Sequence, residues 1–229
     1  MNKSIRLICA TRHAEGDFFN KTALGRSLAC CYPNLPSVGL TLFLRNKKGL
    51  PSVYNLAIDN SKNSDELLVF LHDDLHLIDF FWADELRKAV EHFDIVGVAG
   101  NRRRVARQPS WAFVDERLTW DKAENLSGRV GHGKGFPAPI SNYGPTPQKC
   151  LLLDGLLLAA RSNILHKHGL RFDERFQFHF YDMDFCRQAE RLGLSMGTWP
   201  IAVIHESGGS FGTDIWRAGW AAYFEKWGE

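Results

Sequence analysis

Leu67-Leu68-Val69-Phe70-Leu71-His72-Asp73-Asp74 is the stretch on which the fold turns. Five apolar residues in a row suit a short strand covered on both faces, and the run ends on an imidazole and two carboxylates. Upstream, Ile5 to Ala10 reads as a buried strand running into Thr11-Arg12-His13, and Val38 to Leu44 alternates apolar residues as a second strand. Between these two, Leu24, Leu28 and Cys31 recur at helical spacing until Pro33, and Pro51 opens a helix through Asn60 that should bury Leu56. Downstream come a helix over Ala83 to Phe93 and a strand over Asp94 to Ala99. This alternation predicts an α/β, Rossmann-like fold with a mixed, mainly parallel sheet flanked by helices. Ligands of such sheets gather outside the carboxyl ends of the strands, which directs attention to Thr11, Arg12, Asn46 and His72-Asp73-Asp74.

Bulk composition bounds the rest. The 229 residues suit one large domain, with 45% hydrophobic and 24% charged residues. A net charge of +2 calls for neither nucleic acid nor an anionic membrane as partner. Cys9, Cys30, Cys31, Cys150 and Cys186 include no CxxC pair and mostly sit in apolar stretches, so they read as reduced, buried thiols of a cytoplasmic protein. The longest apolar tract, Leu151 to Ala160, carries Asp154 and falls short of the ~20 residues a membrane helix needs.

From residue 101 to 149 the periodicity dissolves into Arg, Gly and Pro, an irregular excursion with room for one helix or hairpin. Arg102 to Arg107 reads as an exposed basic loop, or as a landing place for a phosphate-bearing acceptor. Regular structure resumes with a central strand over Cys150 to Ala160, interrupted at Asp154-Gly155. Helices follow over Arg161 to His168 and Asp182 to Leu192, then short strands through Trp199 and through Val203-Ile204 to His205. Asp214 to Trp227 sets Trp216, Trp220, Phe224 and Trp227 on one helical face, read as core or a homodimer contact, with peripheral membrane contact as the alternative. The chain thus divides into a nucleotide-binding half (1–100), the excursion (101–149) and an acceptor and catalytic half (150–229) of a single domain.

Three groups carry chemistry. His72-Asp73-Asp74 forms a hard, oxygen-rich corner suited to Mg2+ or Mn2+, or alternatively a capping pair where a strand turns. His76 extends this cluster toward a phosphohydrolase centre, but such centres sit on helices and Glu66 to Leu71 reads as strand. Asp182 and Asp184 open a helix, where the dipole alone would favour them; either could instead serve as a general base. His205 ends a strand ahead of Gly208-Gly209, where it could bind metal or simply pack.

In order and spacing these pieces resemble glycosyltransferase family 2 and its relatives. The likeness is carried by Leu153-Asp154-Gly155-Leu156, Gly169-Leu170-Arg171-Phe172-Asp173-Glu174, Tyr181-Asp182-Met183-Asp184-Phe185-Cys186 and Ala202-Val203-Ile204-His205, and covers about residues 4–100 and 150–212. The resemblance implies a nucleotide-diphospho-sugar transferase A-type fold. It also implies Asp74 as metal ligand with His205 completing the site, and Asp73 near the ribose or diphosphate. His72 stands where many members have the first aspartate of the acidic motif. Thr11, Arg12, Asn46 and Asn55 fall where the family receives the nucleotide, and Asp154 falls near the donor and acceptor sugars. Asp182 matches the inverting base, Asp184 is its alternate, and Tyr181 replaces the glutamate that usually precedes the base.

The implied activity is metal-dependent, inverting transfer of a sugar from a nucleotide sugar, UDP-sugar favoured, to a hydroxyl of a glycan, lipid-linked or small-molecule acceptor, as in surface polysaccharide or glycoconjugate synthesis. A nucleotidyltransferase is the rival enzyme, although Ala10-Thr11-Arg12-His13 lacks its Gly-rich phosphate loop. A non-catalytic nucleotide-sugar-binding domain is the other alternative.

Overall fold

The computed structural model describes residues 4–31, 37–135 and 137–228; Pro33, read as a helix stop, and the Cys31 side chain lie outside what is described. From the amino end the chain runs through β1 (Ile5–Ala10), α1 (Glu15–Lys21), α2 (Ala23–Cys31), β2 (Val38–Phe43), α3 (Leu50–Asn60), β3 (Leu67–Leu71), β4 (Leu75–Leu77), α4 (Trp82–His92), β5 (Ile95–Gly97) and β6 (Ala99–Asn101). The middle contributes β7 (Leu126–His132), β8 (Ile140–Gly144) and β9 (Gln148–Lys149). Then follow β10 (Leu152–Leu153), β11 (Leu157–Arg161), α5 (Ser162–His168), α6 (Tyr181–Arg191), β12 (Met196–Thr198), β13 (Val203–His205) and α7 (Asp214–Trp227).

The first sheet has the order β2-β1-β3-β11-β5-β12-β9. β1 pairs in parallel with β2 and β3, Ile5 lying opposite Val38 and Leu67, while β11 runs against both β3 and β5. The predicted mixed, mainly parallel α/β sheet is therefore present. β3 lies centrally with all five residues buried, as its unbroken apolar run requires, whereas edge strand β2 is only half-buried. A second sheet, β10-β6-β7-β13-β4 with β8 on β7, stands beyond the carboxyl end of β3. The two are joined where β3 passes through His72-Asp73-Asp74 into β4. β13 pairs antiparallel with β4, setting His205 opposite Leu75 and so beside Asp74; the Glu206 N–H donates to the Asp74 carbonyl at 2.9 Å.

Several expectations are corrected. Cys150 to Ala160 is not one interrupted strand: β10 belongs to the second sheet, β11 to the first, and Asp154-Gly155 is the crossing between them. Leu56 is 45% exposed, because α3 turns Val53, Tyr54, Ala57 and Ile58 inward. Trp199 follows β12 rather than lying in it. Cys9, Cys150 and Cys186 are buried free thiols, but Cys30 is exposed.

α7 packs its aromatic face onto its own protein. Trp216, Tyr223 and Trp227 are buried, and the Arg107 guanidinium lies over Trp220 and Phe224. Among the described residues no helix is long and apolar enough to cross a membrane.

The Arg-rich middle is tied down by ions. Arg103 donates to buried Asp121, which also accepts from Asn101 Nδ2 and Asn125 Nδ2 (2.9 and 3.0 Å). Arg104 pairs with Glu190, and Arg107 with Glu116. These guanidiniums are already engaged within the protein.

Candidate functional site

Two clefts flank the end of β3. The first, about 1050 Å3, lies at the carboxyl ends of β1 and β2 and is lined by Arg12, Arg45, Lys47 and Lys48 together with Thr11, Asn46 and Asp73. The second, about 310 Å3, is lined by His72, Asp154, Asp182 and His205 and by a wall of aromatic rings. Phe178 borders both clefts and stacks on His72 with centroids 5.8 Å apart. A separate groove behind the second sheet, about 820 Å3, has neither carboxylate nor imidazole among its described lining residues.

At the hinge of the two clefts, His72, Asp74 and His205 bring one donor atom each within 4.8 Å of one another. His205 Nε2 lies 3.3 Å from Asp74 Oδ2, and His72 Nδ1 lies 3.9 Å from Asp74 Oδ1. Asp74 Oδ1 is buried and makes no hydrogen bond among the described residues, a costly state for a carboxylate oxygen that has no cation to face. Burial would raise the Asp74 pKa, yet contact with His205 and the nearby His72 hold it well below the usual carboxylate range, so it is anionic. Burial lowers the pKa of His72, which is therefore neutral. For His205 burial works downward too, but Asp74 outweighs it and raises the pKa.

Tyr181 orients His72. The phenol donates to the Gly155 carbonyl at 2.9 Å and lies 2.8 Å from His72 Nε2. A phenol has one proton and a carbonyl can only accept, so both contacts are hydrogen bonds only if His72 Nε2 carries its proton. The lone pair is then on Nδ1, the nitrogen nearer Asp74. Gly155 is required for this approach: a Cβ there would sit 2.3 Å from the Tyr181 oxygen.

Asp182 stands in the first turn of α6, behind Phe180 in the left-handed region at φ 65°. Its carboxylate accepts from the Gly155 N–H (3.0 Å) and the Met183 N–H (2.9 Å). Burial, then the neighbouring Asp154, push its pKa up to about 6 against those backbone donors. That is the range of a base that takes up a proton near neutrality.

Not every predicted residue joins the site. Asp184 points the other way: its fully buried carboxylate pairs with Lys226 at 2.6 Å and accepts from Trp227 Nε1 and Gln188 Nε2, so it serves as an anchor for α7. Asn55 clamps the chain at Phe172, donating to its carbonyl and accepting from its N–H (2.9 and 3.0 Å), with its side chain thereby spent away from both clefts. Asn46 lines the basic cleft, but its amide is used in a turn with the Lys48 backbone. Thr11 Oγ1 donates to Asp73 at 2.6 Å, which directs that carboxylate into the basic cleft, where Arg12 also lies. Gly208 and Gly209 border the aromatic cleft rather than the basic one. Sequence reasoning passed over His132, Trp111, Trp120, Tyr143 and Phe211, which also line the aromatic cleft. The available signal was Trp and Tyr recurring within an otherwise Arg-, Gly- and Pro-rich stretch.

No protein-family model and no curated protein matches the chain. Among solved structures it is similar to GalNAc-T7 with UDP, GalNAc and Mn2+, at 12% identity or less: 11% identity, a TM-score of 0.53, and coverage of 97% of this chain. The chain spans 48% of that protein, about half its length. TarS 1-349 of S. aureus is a more distant likeness, with a TM-score of 0.48, 12% identity, and coverage of 89% of this chain and 60% of TarS. The similarity shows that this chain shares the α/β fold of GalNAc-T7.

Proposed function

We propose that the chain is a metal-dependent, inverting glycosyltransferase, a divergent relative of family 2, which moves a sugar from a nucleotide sugar to an acceptor hydroxyl. The observation that carries this reading is the meeting of Asp74, His72 and His205 with Asp182 and Asp154 where a basic and a cation-poor cleft join. The basic cleft suits a nucleoside diphosphate, with Asp73 available to a ribose hydroxyl. We carry over UDP as the nucleotide because GalNAc-T7 was crystallised with it.

His72 Nδ1, Asp74 and His205 would hold the metal. One carboxylate with two imidazoles fits Mn2+ better than Mg2+, which prefers an all-oxygen shell. When bound, the cation supplies Lewis-acid neutralisation of the departing diphosphate. Asp182 accepts the proton of the acceptor hydroxyl, whose oxygen attacks the anomeric carbon from the side opposite the leaving nucleotide. Asp154 keeps Asp182 basic through like charge, and the Gly155 N–H holds its carboxylate in place.

Calorimetry of UDP binding with and without Mn2+, followed by an assay of UDP-sugar hydrolysis without acceptor, tests the reading. Mn2+-dependent binding and slow release of free sugar are expected. A protein that binds UDP but never releases sugar would be a binding domain, and one that ignores UDP would refute the proposal outright.

A further inference from the structure

We infer that the second cleft is an acceptor subsite for an uncharged glycan, stacked on Trp120. The inference rests on the transferase reading for the role of the cleft, but its ligand class follows from the cleft's own chemistry.

The first argument is charge. Among the described residues no Lys or Arg lines this cleft, while Asp154 and Asp182 both do. His179 is pushed by burial toward the neutral form. An acceptor bearing phosphate or carboxylate would enter beside two carboxylates with no lysine or arginine to meet it, while the His205 imidazole is already turned to Asp74. The guanidiniums that could have served, Arg103, Arg104 and Arg107, are committed to Asp121, Glu190 and Glu116. The neighbouring basic cleft shows the opposite: Arg12, Arg45, Lys47 and Lys48 stand where a diphosphate would lie.

The second argument is exposed aromatic surface that the fold does not use for its core. Trp120, Phe178 and Phe211 are 53%, 50% and 40% exposed, and all three line this cleft, Phe178 being shared with the basic one. Large apolar side chains left open together mark a binding surface more often than chance exposure. The apolar C–H face of a sugar ring covers such a ring, while its hydroxyls keep their hydrogen bonds to carboxylates and imidazoles.

The third argument is preorganisation. Trp120 stacks on Tyr143 (5.7 Å, 21°) and meets Phe113 edge-on (4.9 Å). Phe113 and Trp120 face each other across an antiparallel bridge. The turn between them is fixed by Asp115, whose Oδ1 accepts the N–H groups of Arg117 and Thr119 at 3.0 and 3.1 Å. Beneath the loop, the Trp111 carbonyl accepts from Asn101 Nδ2 and Gln108 Nε2. The platform is thus held from behind, so a ligand need not order it.

The test uses the full chain with UDP and Mg2+, a diamagnetic stand-in for Mn2+, present, and saturation-transfer NMR with paired probes: methyl glucoside and lactose against glucose 1-phosphate and glucuronic acid. Binding of the neutral probes is expected, weakened about three- to tenfold in Trp120→Ala and again in Phe211→Ala, with UDP affinity unchanged. Equal or tighter binding of the anionic probes would overturn the inference. So would neutral binding untouched by both substitutions, or no sugar binding by a protein that binds UDP. If UDP itself fails to bind, the transferase reading falls, and the sugar result still decides the ligand class of the cleft.

Discussion

The two clefts beside β3 are built by different means. The basic one is made of residues that follow strands, Thr11 and Arg12 after β1 and Arg45 to Lys48 after β2, so it inherits its position from the parallel sheet. The aromatic one takes its chemistry from distant segments, Asp154 at a sheet crossing, Asp182 in a helix start, and Trp120 in a loop pinned by polar side chains. The first is a general consequence of a doubly wound fold, and the second is particular to this chain. Where they touch, three consecutive residues divide the labour: His72 faces the aromatic cleft, Asp73 the basic one, and Asp74 lies against His205.

If the division is real, substitutions should separate nucleotide binding from chemistry. The largest effect is expected for Asp182→Asn. A general base contributes about 10²- to 10⁴-fold, so turnover should fall by that factor while UDP affinity, read by calorimetry, stays the same. The pH profile sharpens this. With its pKa raised to about 6, Asp182 is protonated and idle below that pH and free to accept a proton above it. In the wild type kcat/KM should rise with pH through about 6 and then level off, and the residual activity of Asp182→Asn should lack that limb. An unchanged limb would move the base elsewhere.

Asp184, two residues on, should belong to neither cleft. Lys226→Ala strips its cation and leaves a fully buried carboxylate, a change that typically costs about 3–5 kcal/mol. Denaturant melting should show that loss in stability, with UDP affinity and KM for the sugar donor unmoved at temperatures where the protein stays folded. Altered nucleotide binding by the folded variant would show that α7 reaches the site.

Asp74→Ala should act on the other side of the division. Loss of a metal-binding carboxylate is expected to weaken Mn2+-dependent UDP binding by about 100-fold, leaving metal-free binding as in the wild type. Calorimetry with and without Mn2+ reads both, and retention of the Mn2+ effect would exclude Asp74 from the metal site.

Much of this was legible in the residues, and the remainder has definite physical reasons for being hidden. β3 and its terminal His72-Asp73-Asp74 could be read because an unbroken apolar run tolerates few alternatives. The approach of His205 to Asp74 depends on the pairing of β4 with β13, strands of three residues each, too short for their pattern to specify a register. Asp182 and Asp184 were both plausible at a helix start. Positions two apart on a helix differ by about 200°, so only one could face the cleft, and which one depends on where α7 packs. The aromatic wall was hidden because Trp111 and Trp120 reach Tyr143 of β8 through irregular loops fixed by Asp121 and Asp115, which leave no periodicity to read.

Tyr181 offers the finest probe of the junction, because it touches His72 from the aromatic side and bears on metal only through that ring. In Tyr181→Phe the imidazole loses the acceptor for its Nε2 proton, and the Nδ1 tautomer becomes available to it. Groups that orient a ligating histidine typically matter by about 10- to 100-fold in metal affinity. Since His72 is one of three candidate donors, the lower end, about tenfold weaker Mn2+ binding, is the expected loss. Nitrogen-15 shifts of His72 should report the proton on Nε2 in the wild type and a mixture of tautomers in the variant. Were the tautomer to change with no effect on Mn2+ affinity, His72 would not be a ligand, and the residue standing in place of an aspartate would have to be read as part of the acceptor cleft alone.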